Sequence, residues 1–372
     1  MKSIFFFSLT ALLFLTSCSS TKDRKFRTES SPELVDSFDL KDKQFNKFKV
    51  VEIEEKSEKK VKEDKNKKKK TAKTKKKITS KKVKKKNVSK SKKVKKTPSV
   101  KKITQKKYAN DYPEEFKKYN KKYKYVWDHV EPFFYPHETF VLSASYLGVT
   151  VGHAKLETLP VVTVAGRKAF HFKGSLKSAS FYNYIYEVED WVESFVDAET
   201  FLPVKYTLVQ RESGQDVDDL QLFDSESNKT YFWYKRLKKG KVNKKEINAY
   251  VPKYFQDSFS ALYFVRGLKL EVGSKYEFPI VTRAKLWLMK MEVEKIEEIK
   301  VLGKKQEAFR IKAETRFPGI LKKRGDIVFW FSTDKYRKLL KFQANIKIGA
   351  IKGELVEYKK GSDKFNMKDL EQ

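Results

Sequence analysis

Trp287-Leu288-Met289-Lys290-Met291-Glu292-Val293-Glu294 decides the fold class of this chain. Trp287, Met289, Met291 and Val293 alternate with Lys290, Glu292 and Glu294. A period of two is that of a half-buried strand with one apolar face. Downstream, Phe309, Ile311, Ala313 and Thr315 alternate with Arg310, Lys312, Glu314 and Arg316. Residues 326–331 read as a dense apolar strand, 332–337 as a turn, and 339–347 and 349–358 as two more strands. Upstream, residues 138–145 and 149–156 flank Tyr146-Leu147-Gly148, and further strands are expected over 167–175, 182–193, 202–206, 215–224 and 229–237. Asp197-Ala198-Glu199-Thr200 supplies turn chemistry, and residues 238–245 form a basic hairpin turn around Gly240. Short strands punctuated by turns about every 8–12 residues predict a mainly β fold, either an antiparallel β-barrel or a strongly curved sheet.

One or two short helices interrupt this pattern. Residues 110–125 read as a short helix after Pro113, with Glu114 and Glu115 in its first turn, where the helix dipole favours acids. Residues 126–136 are aromatic and broken by proline, so a loop is expected there. The second helix lies within residues 256–267, with Asp257 or Ser258 as N-cap and Gly267 as terminator, and is expected to plug or flank the sheet.

The N-terminus reads differently. Met1-Lys2 is followed by a mostly apolar block over residues 4–15, then by Leu15-Thr16-Ser17-Cys18. The block is shorter than the roughly 20 residues a spanning helix needs and has the layout of a secretory signal. Leu15 to Cys18 resemble the lipobox of bacterial lipoproteins, which implies a cut before Cys18 and acylation of its sulfur. Each buried acyl CH2 adds about 0.8 kcal/mol of membrane affinity, so two or three chains hold durably. Cys18 is the only cysteine, so no disulfide is available. Ser19 is neutral, which by similarity to lipoprotein sorting implies the outer membrane, facing the periplasm.

The net charge of +35 is mostly local. Residues 56–107 hold 27 lysines and three acids, including the run Lys67, Lys68, Lys69 and Lys70. Like charges with no apolar period cannot form a core, so residues 18–107 are expected to be a disordered linker. About 90 flexible residues span roughly 50 Å, and more when self-repelling. The run is either a soluble spacer or a site for an anionic envelope polymer. Nucleic acid is not expected, because no aromatics are interleaved for base stacking. The expected organisation is thus 1–17 signal peptide, 18–107 lipid-anchored linker, 108–360 antiparallel β domain and 361–372 polar tail. The β domain is long enough to bury a core of its own.

Four segments resemble the bacterial envelope family known as domain of unknown function 3108. They are Tyr146-Leu147-Gly148-Val149-Thr150-Val151-Gly152, the stretch 257–266 (Asp-Ser-Phe-Ser-Ala-Leu-Tyr-Phe-Val-Arg), Val328-Phe329-Trp330-Phe331-Ser332-Thr333-Asp334, and Ile346-Lys347-Ile348-Gly349. The resemblance covers roughly residues 140–360. It implies an exported, antiparallel β-rich domain and supplies no catalytic residues.

Searched for chemistry, the chain offers little. His129, His137, His153 and His171 form no close pair and no HExxH motif occurs, so no metal or cofactor is expected. His153 and His171 would meet only across strands. There is no Gly-x-Ser-x-Gly elbow and no phosphate-cradling loop. Acids cluster at Glu187, Glu189, Asp190 and Glu193, and at Asp216, Asp218 and Asp219, the last set only loosely like a calcium loop. A carboxylate pair would serve glycoside cleavage, and no catalytic residue is assigned. Trp191, Trp233, Trp287, Met289, Met291 and Trp330 are the candidates to line a cavity for an acyl chain, or else simply fill the core. The sequence therefore points to a non-catalytic, lipid-anchored envelope protein binding a lipid-like or glycolipid ligand or a protein partner. The alternatives are an enzyme acting on cell wall or polysaccharide, and a structural tether between outer membrane and wall.

Overall fold

A computed structural model of the chain describes residues 33–53, 108–316, 323–346 and 349–362. The elements in chain order are α1 (Leu34–Ser37), α2 (Lys43–Asn46), β1 (Val51–Glu52), α3 (Glu114–His129), β2 (Thr139–Tyr146), β3 (Val149–Val164), β4 (Arg167–Ser178), β5 (Glu189–Asp197), β6 (Pro203–Glu212), β7 (Gln215–Asp224), β8 (Lys229–Lys238), β9 (Lys241–Tyr250), α4 (Ser260–Arg266), β10 (Lys275–Thr282), β11 (Lys285–Val301), β12 (Lys304–Arg316), β13 (Lys323–Ser332), β14 (Leu339–Asn345) and β15 (Ala350–Lys359). Cys18, the expected signal peptide, most of the expected lysine-rich linker and the last ten residues of the tail lie outside the described residues.

The strands form one antiparallel sheet in the order β10-β11-β12-β13-β14-β15-β2-β3-β4-β5-β6-β7-β8-β9, with β1 added beside β3. The chain enters at the middle, runs out to β9 at one edge, crosses with α4 to β10 at the other edge, and returns until β15 pairs with β2. The sheet is not closed by a β9–β10 ladder. It is nonetheless strongly curved. From β10 to β7 is eleven strand spacings, about 50 Å if flat. Yet Arg283, in the turn between β10 and β11, places Nε 2.7 Å from Asp219 Oδ2 of β7. Its backbone N–H donates to Gln221 Oε1 of the same strand at 2.8 Å. The curved sheet, of the two forms expected, is the one adopted.

The space inside the curve is occupied. Tyr123, Val126 and Trp127 of α3 and Tyr263 and Phe264 of α4 share one apolar cluster with Phe172 of β4, Phe278 of β10, Val293 of β11 and Leu355 of β15. Trp127 lies 4.5 Å from Phe264 between ring centroids, and Phe172 stacks on Tyr263 at 3.8 Å. The α4 helix thus fills the sheet, as expected. Asp257 caps its start, its Oδ1 accepting the N–H groups of Phe259 and Ser260 at 2.7 and 2.8 Å. Gly267 ends it for a packing reason: a Cβ there would lie 2.5 Å from the Glu131 carbonyl oxygen. Helix α3 runs through His129 into the stretch expected to be a loop, because Val126 and Trp127 are core residues.

Hairpin chemistry explains the register. Leu147-Gly148, Ala165-Gly166, Lys239-Gly240 and Leu302-Gly303 each place both residues at positive φ, the two-residue turn that matches strand twist. The expected strand over 182–193 starts only at Glu189, because Ser180–Tyr184 form a 3-10 turn. Ser178 Oγ holds that turn, donating to Asn183 and accepting from the Val188 N–H.

A correction concerns residues 33–53, expected to belong to the disordered linker. Leu34, Val35 and Phe48 are buried against Val162, Phe195, Val204, Leu222 and Trp233 on the outer face of the sheet. Phe45 packs edge-on to Trp233 at 4.9 Å. Glu33 Oε1 accepts from the Lys205 ammonium at 2.6 Å, and Lys205 is 1% exposed. The apolar residues of this short segment are scattered without a clear period; it folds here because the sheet supplies the other half of its core. No helix among the described residues is long and apolar enough to cross a membrane.

Candidate functional site

The proposed lining residues divide between two faces. Trp287, Met289 and Met291 share the inner face of β11, where Met289 stands opposite Phe278 and Met291 opposite Ala313. There they pack into the core with α3 and α4. Trp330 stands opposite Arg310 and Lys341, and its indole N–H donates to Glu297 at 2.7 Å. Its neighbour Phe329 opposes Ile311, which opposes Val293 on the Met289 face. By this alternation Trp330 points from the other face of its strand, yet it is buried in the same apolar cluster as Met289 and Met291. Trp191 and Trp233 pack in the outer cluster with residues 33–53. Four of the six thus belong to one apolar cluster and two to another.

The acids give a clearer constellation. Asp190 of β5 and Glu212 of β6 are both buried, and the side-chain nitrogen of Gln210 donates to each at 3.1 Å. The two carboxylates thus lie within twice that distance of one another. Asp190 also accepts the Arg211 N–H at 3.0 Å. Glu212 accepts from the Tyr186 hydroxyl at 2.7 Å and from Gln215 at 3.1 Å. Burial, then the negative charge of Glu212, pushes the Asp190 carboxyl up to about 7. Burial raises Glu212 as well. Sequence reading singled out Asp190 and missed Glu212, Gln210 and Tyr186. The available signal was Gln210-Arg211-Glu212, whose first and third side chains must share a face.

The other acids are committed elsewhere. Glu193 lies 3.2 Å from His171 and 3.8 Å from the Lys173 ammonium. Asp218 pairs with Arg211 at 2.7 Å and Asp219 with Arg283 at 2.6 Å. The loosely calcium-like stretch 216–219 is plain strand, with Asp216 and Asp218 on one face of β7 and Asp219 on the other. His153 opposes Lys177 while His171 opposes Leu159, so the two histidines do not meet. Among the described residues no group of three or more His, Cys, Asp or Glu is placed to hold a metal ion.

The Asp190 geometry has a pH signature. Its folded-state pKa of about 7 lies above the ordinary 3.8, so the folded form holds the proton more tightly. That stabilisation is complete below about pH 4, declines as pH rises, and is gone above about pH 7; its size is on the order of 4 kcal/mol. Urea midpoints across this range should fall accordingly. Asp190→Asn, neutral throughout, should flatten the profile.

An open, strongly curved antiparallel sheet wrapped around two helices defines a barrel-like β domain. Residues 140–356, more than half of the chain, match the family described as Protein of unknown function (DUF3108), and the chain belongs to that family. No curated protein matches significantly. Among solved structures, the chain is similar to a beta-barrel-like protein of domain of unknown function DUF1849 from Brucella abortus, at 14% identity and a TM-score of 0.42 over 62% of this chain and 100% of that one. A candidate lipoprotein from Parabacteroides distasonis aligns at 14% identity and a TM-score of 0.25 over 61% of this chain and 99% of that one. A candidate exported protein with a YmcC-like fold from Bacteroides fragilis aligns at 8% identity and a TM-score of 0.29, over 62% of this chain and 100% of that one.

Proposed function

We propose that this chain is a non-catalytic, lipid-anchored protein of the bacterial cell envelope whose β domain binds a lipid-like envelope ligand. The observation that carries the anchoring is Leu15-Thr16-Ser17-Cys18 at the end of a short apolar block, with Cys18 the sole cysteine. Acyl chains on its sulfur hold the protein in the membrane, and residues 56–107 form a cationic tether on which the sheet is carried. Ser19 favours the outer membrane. Lys67, Lys68, Lys69 and Lys70 give the tether a place to meet anionic envelope polymers. For the ligand, support comes from Trp287 of β11, which with Leu286 and Leu288 is only partly buried beside the core that α3 and α4 otherwise fill.

Lipid extraction and mass spectrometry of the chain from residue 18 onward, carrying Cys18→Ser and isolated from the soluble fraction, tests the ligand reading. A lipid species at near-equal molar ratio is expected; protein free of lipid contradicts it. The competing enzymatic reading, on cell wall or polysaccharide, is favoured by one observation, the Asp190–Glu212 pair. Cell-wall cleavage abolished by Asp190→Asn would move the assignment there.

A further inference from the structure

We infer that one end of the sheet is a docking surface for an anionic lipid bilayer. In a succession of antiparallel hairpins every second connection falls at the same end. The turns β2–β3, β4–β5, β6–β7, β8–β9 and β14–β15 therefore form one rim. They are in contact in sequence around it: a Cβ on Gly349 would lie 3.1 Å from Leu147 Cδ2, the Ala179 N–H donates to the Val151 carbonyl, and the Ser213 N–H donates to the Glu187 carbonyl. Asp216, just past the β6–β7 turn, opposes Leu237 of β8.

This rim carries large apolar side chains in water. Phe181, Tyr184 and Ile185 of the β4–β5 connection are 73%, 93% and 65% exposed, and Leu147, Leu237 and Val242 join them. The opposite end of the sheet shows fewer, Leu302 and Val272 with Val51 and Ile53 beside the β3–β4 turn. Exposed apolar residues scattered singly need no explanation, but a contiguous set marks a contact surface.

Charge names the partner. The β8–β9 tip reads Lys235-Arg236-Leu237-Lys238-Lys239-Gly240-Lys241-Val242-Asn243-Lys244-Lys245, seven cations and no acid. None of the ion pairs among the described residues includes one of the seven. Lysines on β9 also blunt an edge strand against aggregation. That role does not account for an exposed phenylalanine, tyrosine and isoleucine four strands away. The apolar and aromatic side chains of the β4–β5 connection and the cations of the β8–β9 tip share this rim, with Glu187 and Asp216 between them, and together they match the acyl boundary and phosphate layer of an anionic bilayer. This inference rests on the envelope reading above, but its test uses no acyl chain, so failure of lipidation and failure of docking are separable.

The chain from residue 18 onward, with Cys18→Ser, contains no other cysteine. A single Tyr184→Cys then carries an environment-sensitive fluorophore on the rim, and Leu302→Cys carries it at the far end. Vesicles of equal parts phosphatidylethanolamine and phosphatidylglycerol should raise emission at position 184 about twofold or more with a blue shift, and leave position 302 unchanged. Lys238→Gln, Lys239→Gln and Lys241→Gln together should weaken the response about threefold or more. Equal responses at 184 and 302 would show that the lysine run alone holds the vesicle and would overturn the proposal. So would no response at 184, an equal response to phosphatidylcholine, or a response at 184 to protein concentration without vesicles, which marks self-association.

Discussion

Arg266→Ala will destabilise the β domain by about 3–5 kcal/mol, the usual cost of leaving one member of a buried ion pair without its partner. Arg266 and Glu138 are 1% and 0% exposed, and they bond in two places, Nη1 to Oε2 at 2.7 Å and Nη2 to Oε1 at 3.0 Å. The guanidinium also donates to the carbonyls of Tyr336 and Arg337 at 3.0 and 3.1 Å. The Tyr358 hydroxyl donates to Glu138 at 2.9 Å. One side chain at the end of α4 thus ties the crossover to the entry of β2, the β13–β14 turn and β15. These points lie in the middle of the sheet, where β13, β14, β15 and β2 are already paired, so the ion pair fixes α4 against that region. Glu138→Ala should cost a similar amount, since it strands Arg266. The double variant should lose well under the sum of the two. Urea denaturation of all three chains measures this, and additive losses would show that the pair is not a unit.

Phe48→Ala is expected to cost about 3–5 kcal/mol, as removal of a buried phenylalanine does. Phe48 is 2% exposed beneath the outer face of the sheet. The neighbouring Lys47 carbonyl accepts the Ala165 N–H at 2.7 Å, and Val51 continues the ladder opposite Thr163. A linker residue would cost nothing, so thermal denaturation of this one variant decides whether residues 33–53 belong to the domain. The change should leave the Arg266 network intact, because the two sites lie on opposite faces.

The strands were legible where one face is buried and the other wet, as in Met289, Met291 and Val293 against Lys290 and Glu292. The X-Gly turns at Leu147-Gly148 and Lys239-Gly240 were legible because glycine accepts positive φ. The turn Arg283-Ala284 carries no such signal. Both residues sit at positive φ without glycine, a conformation that costs an ordinary residue about 1–2 kcal/mol. The Asp219 and Gln221 contacts across the curve offset this cost, and such long-range partners leave no local trace. Residues 33–53 were missed for the same reason, since their core is borrowed from β3 to β8. Asp190 stood out as one of several acids. Its distinguishing partner Glu212 lies on the next strand, and only the register brings them together.

Under the proposed function a sheet-built domain is held to a membrane through Cys18. Feeding labelled palmitate to cells that make the wild-type chain or Cys18→Ser, then isolating the protein, tests it directly. Label in the wild type alone, with the variant released to the soluble fraction, is the predicted result. An unlabelled wild-type chain, or a variant labelled to the same extent, would contradict it.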